Sequence, residues 1–249
     1  MRVLEIDIGN TFIKWRFIVS GVVNSRGCAE VQNVDSLGRL SIDVSAVDRI
    51  QVSSVASEGF NSLVSGKLVA MFGKDPWFAL SSDELVGVTN GYANSSELGV
   101  DRWLAIVAAW VEFKRDVVVI DCGTALTIDI VDQWGCHLGG YIVPGQVLMK
   151  RALLSDTANV ECNDLAGDQE IRPGENTRQA VKNGIALAQI GAVYTVLAKL
   201  RKDSLVERAP AVVFCGGAGE LLRGLFELES FWRPDLVFEG LEIAARELL

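Results

Sequence analysis

Two short motifs carry most of the chemistry legible in this chain: Asp7-Ile8-Gly9-Asn10-Thr11 near the N-terminus and Asp121-Cys122-Gly123-Thr124-Ala125 near the middle. Each closes an apolar run, residues 3–8 and 117–120, and each is followed by a second run with strand patterning. A glycine directly after a strand permits a tight turn and brings backbone N–H groups close to a phosphate, while hydroxyl and amide side chains donate further hydrogen bonds. The aspartate that starts each turn can hold a cation, directly or through water, against a nucleotide's charge. One such motif is compatible with a plain β-turn. Two, each at the end of a buried strand, point to a duplicated phosphate-handling hairpin.

Four further groups could do chemistry. Lys14, three residues beyond Thr11, can reach a β- or γ-phosphate, although an exposed strand lysine explains it as well. Gly99-Val100-Asp101-Arg102 opens a helical pattern; Asp101 is either an N-terminal cap or a general base beside the cationic Arg102, with the helix start favouring an anion. The segment from Gly139 to Gly145 is either a bend or a wall on which a substrate packs. In Cys215-Gly216-Gly217-Ala218 the missing side chains leave room for a purine and ribose, and close strand-helix packing accounts for the glycines equally well.

The elements that must position these residues follow from periodicity. Strands are expected at 2–8, 12–19, 22–28, 49–55 and 77–80, and again at 117–121, 126–131, 137–143 and 211–215. Helices are expected at 57–72, 101–114, 176–201, 219–226 and 240–249. Residues 81–98 form a polar loop carrying Tyr92, a candidate substrate cover, and 156–174 reads as loop with short helical turns. Gly66-Lys67 mimics the end of a P-loop, but Asn61 and Leu68 break that motif. Gly217 and Gly219 lack the third glycine of a dinucleotide fingerprint.

Composition narrows the function classes. A length of 249 residues allows two modest domains, which the repeat favours, at 1–114 and 115–249. The net charge of -9 opposes a nucleic-acid partner, and no apolar run approaches the roughly 18 residues of a membrane span. The start of the chain carries Glu5 and Asp7, unlike a signal or transit peptide, so a soluble cytoplasmic protein is expected. Five scattered cysteines, Cys28, Cys122, Cys136, Cys162 and Cys215, suggest reduced and mostly buried thiols rather than disulfides or zinc. His137, the single histidine, makes a histidine-based hydrolase improbable, so proton transfer should fall to a carboxylate.

Taken in order along nearly the whole chain, these motifs, with Asn176-Thr177 opening the long helix, resemble the acetate and sugar kinase, Hsp70 and actin superfamily. Within it they resemble the type III pantothenate kinases. The resemblance implies an α/β protein of two ribonuclease-H-like (actin-like ATPase) domains with mixed sheets and flanking helices, ATP in the cleft between them, a homodimer, and a monovalent cation, potassium or ammonium. It further implies that Asp7, Gly9, Asn10, Thr11 and Lys14 cradle the phosphates with magnesium, held directly or through water by Asp7, that Thr124 binds them from the second hairpin, and that Gly216 and Gly217 belong to the nucleotide turn. Asp101 would take the proton from the substrate hydroxyl. Tyr92, Gly99, Val100, Arg102 and Thr177 would hold pantothenate, Thr177 from across a dimer interface, and Asp121 would ligate the monovalent cation. Cys215 departs from the family, where a threonine usually precedes the glycines and a polar residue follows them.

Two other functions use the same hairpins. An ATPase or polyphosphate phosphatase would position water, usually with a glutamate, and would lack the Gly-x-Asp-Arg helix start. A transcriptional accessory factor of the same fold would act without Asp101.

Overall fold

The computed structural model describes residues 1–31, 47–156, 170–206 and 208–249. Their strands form two five-stranded mixed sheets with the same topology. The first contains β1 (Arg2–Ile8), β2 (Phe12–Val19), β3 (Val22–Glu30), β4 (Arg49–Ser54) and β5 (Trp77–Phe78), in the order β3-β2-β1-β4-β5. Two-residue strands β6 (Glu84–Leu85) and β7 (Val88–Thr89) follow, and a 3₁₀ turn spans Ser95–Glu97. The second sheet contains β8 (Val117–Cys122), β9 (Ala125–Val131), β10 (His137–Pro144), β11 (Ala211–Cys215) and β12 (Phe231–Trp232), in the order β10-β9-β8-β11-β12. In each, the first three strands are an antiparallel meander and the last two are added in parallel.

Six helices are described: α1 (Glu58–Phe72), α2 (Val100–Phe113), α3 (Gln146–Asp156), α4 (Thr177–Lys202), α5 (Gly219–Gly224) and α6 (Leu236–Leu248). The chain divides into two compact units, residues 1–86, 92–108 and 236–249 in one, and 87–91 and 109–235 in the other. The last helix therefore belongs with the first unit, a return that a boundary at 114/115 does not contain.

In the first unit, β1 is buried along both faces, as expected of an apolar central strand. Leu4, Ile6, Ile8, Val52, Val64 and Leu68 share its core. Helix α1 is capped by Ser57, whose hydroxyl accepts from Phe60 N, and ends on Gly73 in the left-handed region (φ 63°), whose N–H bonds Val69 O at 2.8 Å. Gly240 lies within α6 because a Cβ there would stand 2.1 Å from the Leu104 carbonyl oxygen of α2. Reading that glycine as a helix start placed the expected boundary four residues late. Buried Arg16 pairs with buried Glu5, stacks 5.0 Å from the Phe238 ring centroid and lies 3.7 Å from Glu242, so α6 is tied to the sheet by charge as well as by packing.

The second unit centres on Val118, Ile120, Ile128, Ile190, Val193 and Phe214. Among the described residues, α4 is the one helix long and apolar enough to span a bilayer by length and composition, and it lays Ile190, Val193, Val196 and Leu200 into this core. Asn176 caps it, its side chain accepting from Gln179 N at 3.0 Å, and Lys199, Arg201 and Lys202 complement the dipole at its other end. His137 is buried, 3.1 Å from Asp129, in a structural role. Helix α3 was not expected from the sequence, and most of the tract 156–174 lies outside the described residues. Cys122 and Cys215 are buried but Cys28 and Cys136 are exposed, against the expectation of mostly buried thiols; Cys162 is outside the described residues.

Candidate active site

Strand register brings the first hairpin's groups together. Asp7, at the end of β1, is paired across β2 with Lys14 and across β4 with Ser53. The Ser53 hydroxyl donates to Asp7 Oδ1 at 3.1 Å. Burial pushes the Asp7 carboxyl up to about 6, Lys14 opposes this, and the nearby Asp101 carboxylate adds to it. Asp7, Lys14, Ser53 and Asp101 thus share one electrostatic environment within the first unit. Asn10 and Thr11, at the tip of the hairpin, are exposed.

The glycines of the two motifs do not serve the hairpins as expected. Neither Gly9 nor Gly123 has positive φ, and a Cβ would stand 3.5 Å from Phe12 O at Gly9 and 3.6 Å from Ala125 O at Gly123, ordinary contact in both cases. The fold alone would accept alanine at either place. Their amides are also engaged, Gly9 N donating to Phe12 O and Gly123 N to Ala125 O, each at 3.0 Å. Both amides are thus committed to their turns, while the bare Cα leaves room for close approach.

Asp101 is the second residue of α2, not its cap: Trp103 N bonds the Gly99 carbonyl, and Asp101 Oδ1 accepts from Arg102 N at 2.7 Å. The first turn of a helix favours its negative charge. A side chain at Gly99 would meet Asp101 Oδ1 at 2.8 Å, so the glycine keeps that carboxylate accessible from the preceding loop. Val100 is buried beneath the turn. Arg102 is also buried; its Nη1 donates to the Tyr92 hydroxyl at 3.0 Å, and its guanidinium lies 5.7 Å from that ring's centroid. Tyr92, Gly99, Asp101 and Arg102 form one group in the first unit, a cation and a carboxylate side by side.

In the second unit, Asp121 is in register with Thr127 on β9 and Cys215 on β11. Gly216 follows with φ 79°, and a Cβ on it would lie 2.2 Å from Asp121 Oδ1 and 2.7 Å from the Cys122 backbone. Here the fold itself requires glycine. Burial and the neighbouring Asp121 carboxylate push the Cys122 thiol up, so it stays protonated. Gly217 has open space where a side chain would be. Thr124 holds the end of β10, its carbonyl accepting from Gly145 N at 3.0 Å, and a side chain at Gly145 would strike that carbonyl at 2.4 Å. Thr177 is not among these residues. It sits exposed in the first turn of α4, at the rim of an apolar groove of about 770 Å³ lined by Pro144, Leu148, Met149, Ala180 and Ala188.

Among the described residues no cluster of three or more His, Cys, Asp or Glu is arranged to hold a metal. One or two carboxylates with an anionic ligand and water is magnesium's habitual coordination, and partly desolvated Asp7 beside Asp101 fits it. Sequence reasoning missed Ser53. Its signal was a polar pair, Ser53-Ser54, ending an otherwise buried parallel strand.

Duplicated mixed sheets, each ending its central strand in an aspartate hairpin, define the phosphotransferase and ATPase fold shared by sugar kinases and actin. Solved structures agree at the level of fold. A protein from Campylobacter jejuni assigned to the Baf transcriptional activators superposes with a TM-score of 0.61 at 22% identity, over 98% of each chain. One from Sinorhizobium meliloti assigned as a 2-dehydro-3-deoxygalactonokinase gives 0.57 at 13% identity, over 99% of this chain and 96% of the other. The family model of type III pantothenate kinases matches residues 3–199. Type III pantothenate kinases from Ectopseudomonas mendocina (38% identical, 97% of this chain and 98% of the relative) and Hahella chejuensis (35% identical, 98% of each) align along the chain. The chain belongs to the type III pantothenate kinase family.

The raised pKa of Asp7 has a stability consequence. Its folded value of about 6 lies above the ordinary 3.8, so the folded state binds the proton more tightly and stability falls as pH rises through that window. Without magnesium or nucleotide, Asp7→Asn should be more stable than the parent at pH 7.5, by about 1–3 kcal/mol, and equal to it near pH 4. Urea unfolding at the two pH values checks this; a variant less stable at pH 7.5 would contradict the desolvation.

Proposed function

We propose that this protein transfers the γ-phosphoryl group of ATP to the primary hydroxyl of pantothenate, giving 4'-phosphopantothenate, the first step of coenzyme A biosynthesis. The observation that carries the reading is the grouping of Asp101 and Arg102 at the start of α2 with the Asp7–Lys14 hairpin in one unit. Family membership favours it over an ATPase, a polyphosphate phosphatase or an accessory factor.

In this reading Tyr92, Gly99, Val100 and Arg102 seat pantothenate, with buried Arg102 as the cationic anchor. Asp101 accepts the hydroxyl proton as that oxygen forms its bond to the γ-phosphorus and the bond to ADP breaks. Lys14 and donors of Asn10, Thr11 and Thr124 neutralise the charge spread over the phosphoryl oxygens, and Gly9, Gly216 and Gly217 leave room for the nucleotide. Magnesium, bound by Asp7 directly or through water, would supply further charge neutralisation. Asp121 is the proposed ligand of a monovalent cation, potassium or ammonium; its carboxylate, fixed against Gly216, supports that role.

A homodimer is proposed on α4. Along this helix Ile185 is buried and Ala192 packs on the core, whereas Ala180 and Ala188 are exposed along the apolar groove beside Thr177. A second copy covering that groove would bring Thr177 to the neighbour's substrate.

Incubation with labelled ATP and a panel of small hydroxyl-bearing acids and sugars should label pantothenate. Asp101→Asn should bind magnesium-ATP nearly normally while turnover drops about two to four orders of magnitude; turnover within a few-fold of the parent removes Asp101 as base. In sodium buffer at constant ionic strength the parent should be nearly inactive and recover with potassium, a response Asp121→Asn should lose. Equal rates in sodium and potassium would exclude the monovalent site. Light scattering under assay conditions should read a dimer, and a fully active monomer would remove Thr177 from the substrate site.

A further inference from the structure

We infer that Ser53 is a positioning residue for phosphoryl transfer: its buried hydroxyl engages one oxygen of Asp7 and so presents the other to the cation that accompanies the nucleotide. This rests on the reading of Asp7 given above. Ser53 is fully buried on β4, in parallel register with Asp7, and its hydroxyl donates to Asp7 Oδ1 at 3.1 Å. A hydroxyl shut away from water is costly unless it is hydrogen-bonded, and an aliphatic side chain would suit the core better if packing were its only duty. The next residue separates the two tasks. Ser54, pointing to the opposite face as strand neighbours do, serves the local fold, donating to Asn61 Oδ1 at 2.6 Å on α1 and accepting from Ala56 N.

The duplication supplies an internal comparison. At the equivalent place in the second sheet, beside Asp121, stands Cys215, a far weaker donor. Gly216 lies close to Asp121, and a Cβ on it would stand 2.2 Å from Asp121 Oδ1. Asp7 is held by a directional hydrogen bond from a buried hydroxyl. A hydrogen bond to one oxygen orients the carboxylate plane without blocking the other oxygen, which a cation site requires.

The test uses the full chain and manganese as a spectroscopic probe. Free manganese is titrated by electron paramagnetic resonance with ADP present, alongside the magnesium dependence of pantothenate phosphorylation. Ser53→Ala should remain folded by circular dichroism and keep its KM for pantothenate, while manganese affinity weakens about ten-fold and the magnesium needed for half-maximal turnover rises in step. Ser53→Cys, which borrows the residue beside Asp121, should be intermediate. Asp7→Asn should abolish the binding. If Ser53→Ala binds manganese like the parent while Asp7→Asn does not, the positioning role is wrong and the reading of Asp7 stands. If Asp7→Asn also binds like the parent, both fall.

Discussion

The structure depends on placing a charged carboxylate at the end of a strand that is buried on both faces. β1 must be apolar to lie at the centre of its sheet, yet its last turn-facing side chain has to keep a negative charge. Desolvation works against that charge, and the surroundings answer it with Lys14 on one side and the Ser53 hydroxyl on the other. Asp101 then works in the opposite direction. Like charges oppose each other's ionisation, and a cation beside both carboxylates would favour the charged form of each.

Duplication supplied the second hairpin, and the two copies have diverged in what surrounds the aspartate. Lys14 corresponds to Thr127, Ser53 to Cys215, and buried Arg16 to Asp129, which pairs with His137 on the outer strand β10 whereas Arg16 pairs with Glu5 on the central strand β1. The copies also differ by one residue in loop length, Ile8 pairing with Ile13 but Cys122 with Leu126. What persists is the backbone plan, order and direction of strands, and the position of the carboxylate. Fold repeats through topology, and chemistry is revised residue by residue on it.

The legible part of the fold was the part written in short-range pattern. Apolar runs gave the central strands, and Asn176 and Ser57 marked helix starts because capping is local. Helix α3 was illegible because Gln146–Asp156 follows a proline and glycine and has little amphipathic contrast. The true start of α6 was hidden by Gly240, whose cause is a carbonyl more than a hundred residues earlier. At the candidate site, the motif residues could be named as candidates, but the fully buried Ser53 could not. Its importance exists only once β4 is laid beside β1 in a register that no local signal specifies.

Glycine illustrates why site and fold must be separated by geometry rather than by residue type. Gly216, Gly145 and Gly240 are demanded from within, by positive φ or by backbone at less than van der Waals distance, and any side chain there would disturb folding before it disturbed function. Gly9, Gly123 and Gly217 are not: their φ values are ordinary and the space beside them accepts a methyl group. A glycine that its own fold does not need leaves its backbone open to close approach by another group. At Gly9, beside a carboxylate, a lysine and exposed amide and hydroxyl side chains, the occupant proposed for that space is a phosphate group.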